Sequence, residues 1–180
     1  MNDIELGWLA GIIDGEGNLS IKHHKNHTKK FGERLGFYAE LTVVNTNEEI
    51  VRRCQEITGI GKVFFRDKKQ PSKRLWCWRI YSTGLRQLLP KLLPHLAKRK
   101  EAEILMRAMD ITGTRHGMKD YWGGQFRTND EIIELFKLRD NLIDLHGLSA
   151  RKLATVISPE PYLYYPAFGG LSPQEVTDIK

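Results

Sequence analysis

Residues from about Ile4 to Ile13 are apolar on every side. Leu6, Trp8, Leu9, Ala10, Ile12 and Ile13 ring a helix axis instead of lining one stripe. Such a helix must be covered all round, which in a small domain points to a second subunit. Gly7, Gly11 and Gly15 fall at i, i+4 and i+8, a strip without side chains where a partner backbone can approach. Gly15 and Gly17 are expected to lend the backbone freedom for an abrupt exit from the helix. Alternation follows: residues 18–25 set Leu19 and Ile21 against Ser20, Lys22 and His24. A polar, basic loop is expected from about Lys25 to Arg34. The next strand, about 35–44, sets Phe37, Ala39, Leu41 and Val43 against Tyr38, Glu40 and Thr42. Thr46 and Glu49 spell a capping box for a helix whose Ile50, Val51, Cys54 and Ile57 share a face, with Gly59 and Gly61 closing it. Strands at about 62–67 and 74–81 flank the loop 67–73. Leu85, Leu88, Leu89, Leu92 and Leu93 mark an amphipathic helix that Pro90 and Pro94 bend or break. Residues 96–111 read as a further helix, and Thr128 with Glu131 caps another that runs to about Leu145 and stops at Gly147.

Composition narrows the partners. The chain has 180 residues and a net charge of +6, most simply one domain with a polyanionic partner. Two cysteines, Cys54 and Cys77, make no disulfide framework. No apolar run approaches the roughly 20 residues that span a bilayer, and no secretory leader precedes the first helix. An intracellular, reduced protein is expected, in a prokaryotic cytoplasm or an organelle matrix, with no membrane partner. His23, His24 and His27 lack the cysteine or spaced carboxylate that would complete a soft-metal site. There is neither a P-loop nor a Gly-x-Ser-x-Gly elbow.

The first helix leaves two carboxylates at its tip, Asp14 in the last turn, where its charge opposes the helix dipole, and Glu16 beyond it. The run Leu9-Ala10-Gly11-Ile12-Ile13-Asp14-Gly15-Glu16-Gly17 closely resembles the signature of the LAGLIDADG homing endonucleases. One copy is present, which resembles the single-motif class that works as a homodimer with the motif helices packed at the two-fold axis. The resemblance implies an α+β fold with an αββαββα core: a twisted four-stranded antiparallel sheet with helices on one face, plus a C-terminal helix and tail. Residues 1–149 would form the endonuclease domain. Residues 150–180 would form an extended tail, with Pro159, Pro161, Pro166 and Pro173 among Tyr162, Tyr164, Tyr165 and Phe168, and have no counterpart in the family.

An exposed antiparallel sheet face can lie along the DNA major groove, where each base pair shows a distinct pattern of donors and acceptors. Ser20, Lys22, His24, Tyr38, Glu40 and Thr42 are therefore candidate DNA contacts. Arg66, Lys68 and Arg79 join them from the second hairpin, since Phe65, Trp76, Trp78 and Ile80 read as the buried partners. Solvation of the outer face is the bland alternative. Lys29, Lys30, Arg34, Lys69 and Lys73 are at most phosphate contacts.

The implied chemistry is hydrolysis of phosphodiesters with a divalent cation held by hard oxygens. Mg²⁺ is the expected cofactor, and Mn²⁺ or Ca²⁺ could occupy the same site. Two Glu16 side chains, one from each copy, would meet near the dyad. The family typically has Asp there; Glu is longer by one methylene, which shifts the metal placement slightly and retains the ligand chemistry. Gly15 could add its carbonyl, while Asp14 would brace the dimer turn beside Gly7 and Gly11. Asn45 corresponds to a polar residue that orders water in the family, or else caps the following helix. Lys98 resembles the active-site lysine of the family, with Arg99 and Lys100 competing for the role.

Two functions follow. One, implied by the resemblance, is an intron-encoded, site-specific homing endonuclease that cuts double-stranded DNA at a long pseudo-palindromic site and leaves short 3′ overhangs. The other is a non-catalytic nucleic-acid-binding protein on the same scaffold, an intron RNA maturase or a transcription regulator.

Overall fold

The computed structural model describes residues 1–28, 32–66, 74–113 and 128–147. In chain order they form α1 (Asp3–Glu16), β1 (Gly17–Thr28), β2 (Gly32–Asn45), α2 (Glu48–Thr58), β3 (Lys62–Arg66), β4 (Leu75–Tyr81), α3 (Ser82–Leu92), a 3-10 turn (Leu93–His95), α4 (Arg99–Gly113) and α5 (Asn129–Leu145). The strands make one sheet in the order β1-β2-β4-β3, antiparallel throughout, so β2 and β4 are central. This is the expected αββαββα order. Among the described residues, no helix is long and apolar enough to cross a membrane. Lys29, Lys30, Lys68, Lys69, Lys73 and the tail 150–180 lie outside the described residues, as does the side chain of Arg34.

α1 starts on a capping box: the Asn2 side chain accepts from the Glu5 amide, and the Glu5 carboxylate accepts from the Asn2 amide, both at 2.9 Å. It runs past its expected end at Ile13 to Glu16, with Gly15 inside its last turn. Neither Gly15 nor Gly17 has a positive φ. Gly17 sits at φ −83° and ψ 139°, where a Cβ would lie 2.5 Å from the carbonyl oxygen of Ile13. The exit from α1 therefore needs a missing side chain, not an unusual backbone angle.

Other boundaries also move. The expected basic loop 25–34 is mostly strand, because β1 continues to Thr28 and β2 begins at Gly32. Ladder hydrogen bonds belong to the backbone, so a polar stretch without an apolar face can still pair. Asn47, not Thr46, caps α2, its side chain accepting from the Glu49 amide at 2.9 Å. Gly59, at φ +65°, closes α2 in the left-handed conformation. Pro90 is accommodated inside α3, and the break comes at the 3-10 turn that holds Pro94. The capping box of Thr128 and Glu131 forms as expected at the start of α5.

Two compact units divide the described residues: Met1–Lys22 with Tyr38–Gly113, and His23–Phe37 with residues 128–147. In the first, α2 and α3 pack on β4, and α4 packs on α3. Its core holds Leu9, Ile13, Leu41, Trp78, Leu88 and Leu105, all essentially inaccessible. The buried Trp78 indole donates to the Ile60 carbonyl at 2.8 Å, which satisfies its only polar atom. Trp76 is half-buried, and Phe65 is 38% exposed at the edge strand, tilted against Trp76 at 5.4 Å. The expectation of burial fails for Phe65 because β3 is an edge strand, and Trp76, paired with it near the start of β4, is only partly covered. Cys54 and Cys77 are free and buried, and burial pushes the Cys54 thiol up to about 12.

In the second unit, α5 buries Ile132, Leu135 and Leu142. The His23 ring meets Phe136 edge-on at 5.6 Å and Phe37 at 6.0 Å. Burial, and then the charge of Arg139, hold the His23 imidazole below its ordinary value. The folded unit therefore prefers neutral His23. That preference is fully present above about pH 6.5, the unfolded value, and is lost as pH falls through the lower folded value. The protection factors of the α5 amides, taken against the intrinsic rate at each pH, are expected to fall between pH 7.5 and 5, and His23→Leu to flatten that dependence. Equal acid sensitivity in the variant would assign the effect to another group.

Candidate nucleic-acid and metal site

The end of α1 and the start of α4 hold each other crosswise. The Asp14 carboxylate accepts from the amides of Ala97 at 2.8 Å and Lys98 at 2.9 Å, placing an anion at the N-terminus of α4. In return, the Lys98 ammonium donates to the carbonyls of Ile13 at 3.1 Å and Gly17 at 2.7 Å, placing a cation at the C-terminus of α1. Asp14 opposes its own helix dipole but serves that of another helix. Neither partner was legible from local pattern, since 84 residues separate Asp14 from Lys98.

Glu16, at the last position of α1, is exposed and makes no hydrogen bond or ion pair among the described residues. It lies at a concavity of about 380 Å³ lined by Glu16, Asn18, Lys22, Glu40, Thr42, Val44, Arg66 and Arg79. The structure thus gathers Lys22, Glu40, Thr42, Arg66 and Arg79 with the acid. Asn18 and Val44 were missed, although each extends the polar-face alternation of its strand by one step. Glu40 is buried on this face: its Oε2 is 3.4 Å from Arg79 Nε, and its Oε1 accepts from Thr42 Oγ1 at 3.3 Å. Glu16 is therefore the carboxylate of this lining that is open to a ligand.

The remaining expected contacts are placed differently. Ser20 Oγ is buried and has no hydrogen-bond partner, so reaching it requires neighbouring atoms to move. Tyr38 is half-buried, edge-on to Tyr81 at 5.6 Å, and burial followed by the charge of Glu40 raises its phenol above the ordinary value. His24 is exposed in the second unit. Asn45 turns its side-chain oxygen to the Asn47 amide at 2.8 Å, the local role that the start of α2 offers it. Gly7, Gly11 and Gly15 are exposed, and a Cβ built on any of them meets nothing within 4 Å. Ile4 is 83% exposed. Asp14 is drawn inward to α4 and away from this strip.

The donors at the α1 tip suit a hard cation that keeps several waters. Glu16 offers carboxylate oxygens, and the Gly15 carbonyl lies in the last turn, beyond intrahelical bonding. Among the described residues, no three His, Cys, Asp or Glu side chains gather as a metal cluster. Within this lining one copy brings a single open acid, Glu16.

Residues 9–101 match the model of the LAGLIDADG endonuclease family. No curated protein matches the chain. Among solved structures, the homing endonuclease I-CvuI in complex with its target in the presence of 2 mM Ca is 22% identical, covering 79% of this chain and 82% of that one, with a TM-score of 0.60. The archaeal intron-encoded homing endonuclease I-Vdi141I, complexed with DNA, is 18% identical over 82% of this chain and 94% of its own, with a TM-score of 0.59. The group I intron-encoded I-CeuI, also complexed with DNA, is 16% identical over 78% and 67%, with a TM-score of 0.59.

Proposed function

The chain belongs to the LAGLIDADG endonuclease family, and from that premise we propose a site-specific double-stranded DNA endonuclease that acts as a homodimer with a divalent metal. The observation that carries this reading is the exposed, unpaired Glu16 beside a concave sheet face whose cations are Lys22, Arg66 and Arg79. A non-catalytic binder has no need of an open acid aimed at phosphate.

The sheet face lies along the major groove, and Lys22 and Arg66 draw the duplex in electrostatically. Glu16 and the Gly15 carbonyl would hold the ion, with Mg²⁺ the expected species. When bound, the ion supplies neutralisation of phosphate charge and a water of lowered pKa. Asp14 and Lys98 fix the end of α1, so the acid stands on a braced stem. Lys98 adds positive potential near the reacting phosphate, and of the three basic residues it alone is tied to α1; Arg99 pairs with Glu103 at 3.0 Å instead. Asn45 holds the turn into α2.

Two copies joined along the glycine strip read two half-sites, hence a long pseudo-palindromic target. Each Glu16 serves one strand, with cuts across the minor groove that leave short 3′ overhangs. Similar proteins are described as intron-encoded, and the same origin is proposed here.

The test is Mg²⁺-dependent cleavage of a randomised duplex library, with the cut ends sequenced. One enriched site with paired, offset cuts is expected. Retention of duplex without cutting in Mg²⁺ or Mn²⁺ would leave a binding protein and overturn the enzyme.

A further inference from the structure

One guanidinium in the middle of the sheet is held before any ligand arrives. Arg79, on the central strand β4, lies directly opposite Thr42 of β2. Glu40 shares that face, is 7% exposed, and sets its Oε2 3.4 Å from Arg79 Nε, as an ion pair without hydrogen-bond geometry. Thr42 Oγ1 steadies the other carboxylate oxygen at 3.3 Å. Arg79 Nη1 donates to the Tyr81 hydroxyl at 3.4 Å, and the guanidinium lies 4.7 Å from the centroid of the Phe64 ring. Its Nε is buried, so what remains for a ligand is the Nη end.

We propose that Arg79 reads one guanine through this Nη fork, and that Glu40 is the positioning residue that fixes it, not itself a base contact. The inference rests on the DNA reading above and specifies it. An arginine normally loses much rotamer freedom on binding, and here Glu40, Tyr81 and Phe64 already restrict it. The negative charge of Glu40 offsets the positive charge of Arg79, so the pair adds little attraction for a polyanion. Lys22 and Arg66, with no ion pair among the described residues, are better suited to phosphate. A fixed fork instead matches O6 and N7, the two adjacent major-groove acceptors of guanine.

The test selects a randomised duplex on the full-length protein in Ca²⁺, scoring retention, and then measures salt dependence on the enriched duplex. Wild type is expected to require guanine at one position of each half-site. Arg79→Ala should lower that preference by roughly 10-fold or more, leave other positions alone and barely change the salt slope. A uniform loss for all sequences, with the slope of log affinity against log salt reduced by about 0.9, would make Arg79 a phosphate ligand and overturn the inference. Glu40→Gln should weaken the guanine preference and steepen the slope by about 0.9, as an unneutralised arginine turns to the backbone. A purely structural Glu40 would shift the melting temperature and leave preference and slope unchanged, which also overturns the inference. Thr42→Val, a milder change, should relax the guanine preference in the same direction even if Glu40→Gln does not fold. A wild type that retains no duplex overturns the DNA reading itself. Retention without a guanine requirement overturns this inference alone.

Discussion

Glu16→Gln is expected to retain duplex with the affinity of the parent and to cut it about 10³-fold more slowly. Glutamine keeps the length of the side chain and one carbonyl oxygen but loses the charge that holds a hard cation. Glu16 is exposed and makes no hydrogen bond or ion pair among the described residues, so the melting temperature should not move. Single-turnover cleavage in Mg²⁺, alongside retention in Ca²⁺, separates the two effects. Glu16→Asp is the informative companion: it keeps the carboxylate, shortens the reach by one methylene and should keep most of the activity. Undiminished cutting by Glu16→Gln would remove this residue from the reaction.

Gly11→Leu should leave the chain folded and separate the subunits. A Cβ at this position meets nothing within 4 Å, so one copy has room for it. Leucine is also favoured over glycine inside a helix by about 0.5–1 kcal/mol, so α1 itself gains. If the bare strip of Gly7, Gly11 and Gly15 is where two copies meet, an isobutyl group there forces the backbones apart. Sedimentation at micromolar concentration should then report a monomer, and cleavage should fall with it. A variant that remains dimeric would place the contact elsewhere and remove the reason for an apolar helix exposing Ile4.

The fold was legible because its signals are local. A run apolar on all sides gave α1, period-two alternation gave the strands, and Thr128 with Glu131 gave the start of α5. Errors arose where a rule names more than one residue that could obey it. Asn47 outcompetes Thr46 as the cap of α2, and a glycine after a helix signals a tight approach at position 17 but a positive φ at 59. The candidate site was half legible. Alternation put Lys22, Thr42 and Arg79 on one face, and the concavity collects them. It could not show that Glu40 faces Arg79, because that depends on the register of β2 against β4, in which Thr42 sits opposite Arg79. Nor could it show that Asp14 belongs to the start of α4.

That last tie bears on how little of the polypeptide can display its acid in working order. Asp14 and Glu16 are made early, but the amides that Asp14 accepts from belong to residues 97 and 98. A truncated translation product ending before them carries the complete nonamer without the brace on its last turn. Fragments intended for grafting or for reassembly of a split nuclease should be cut after position 98, never between the signature and that point.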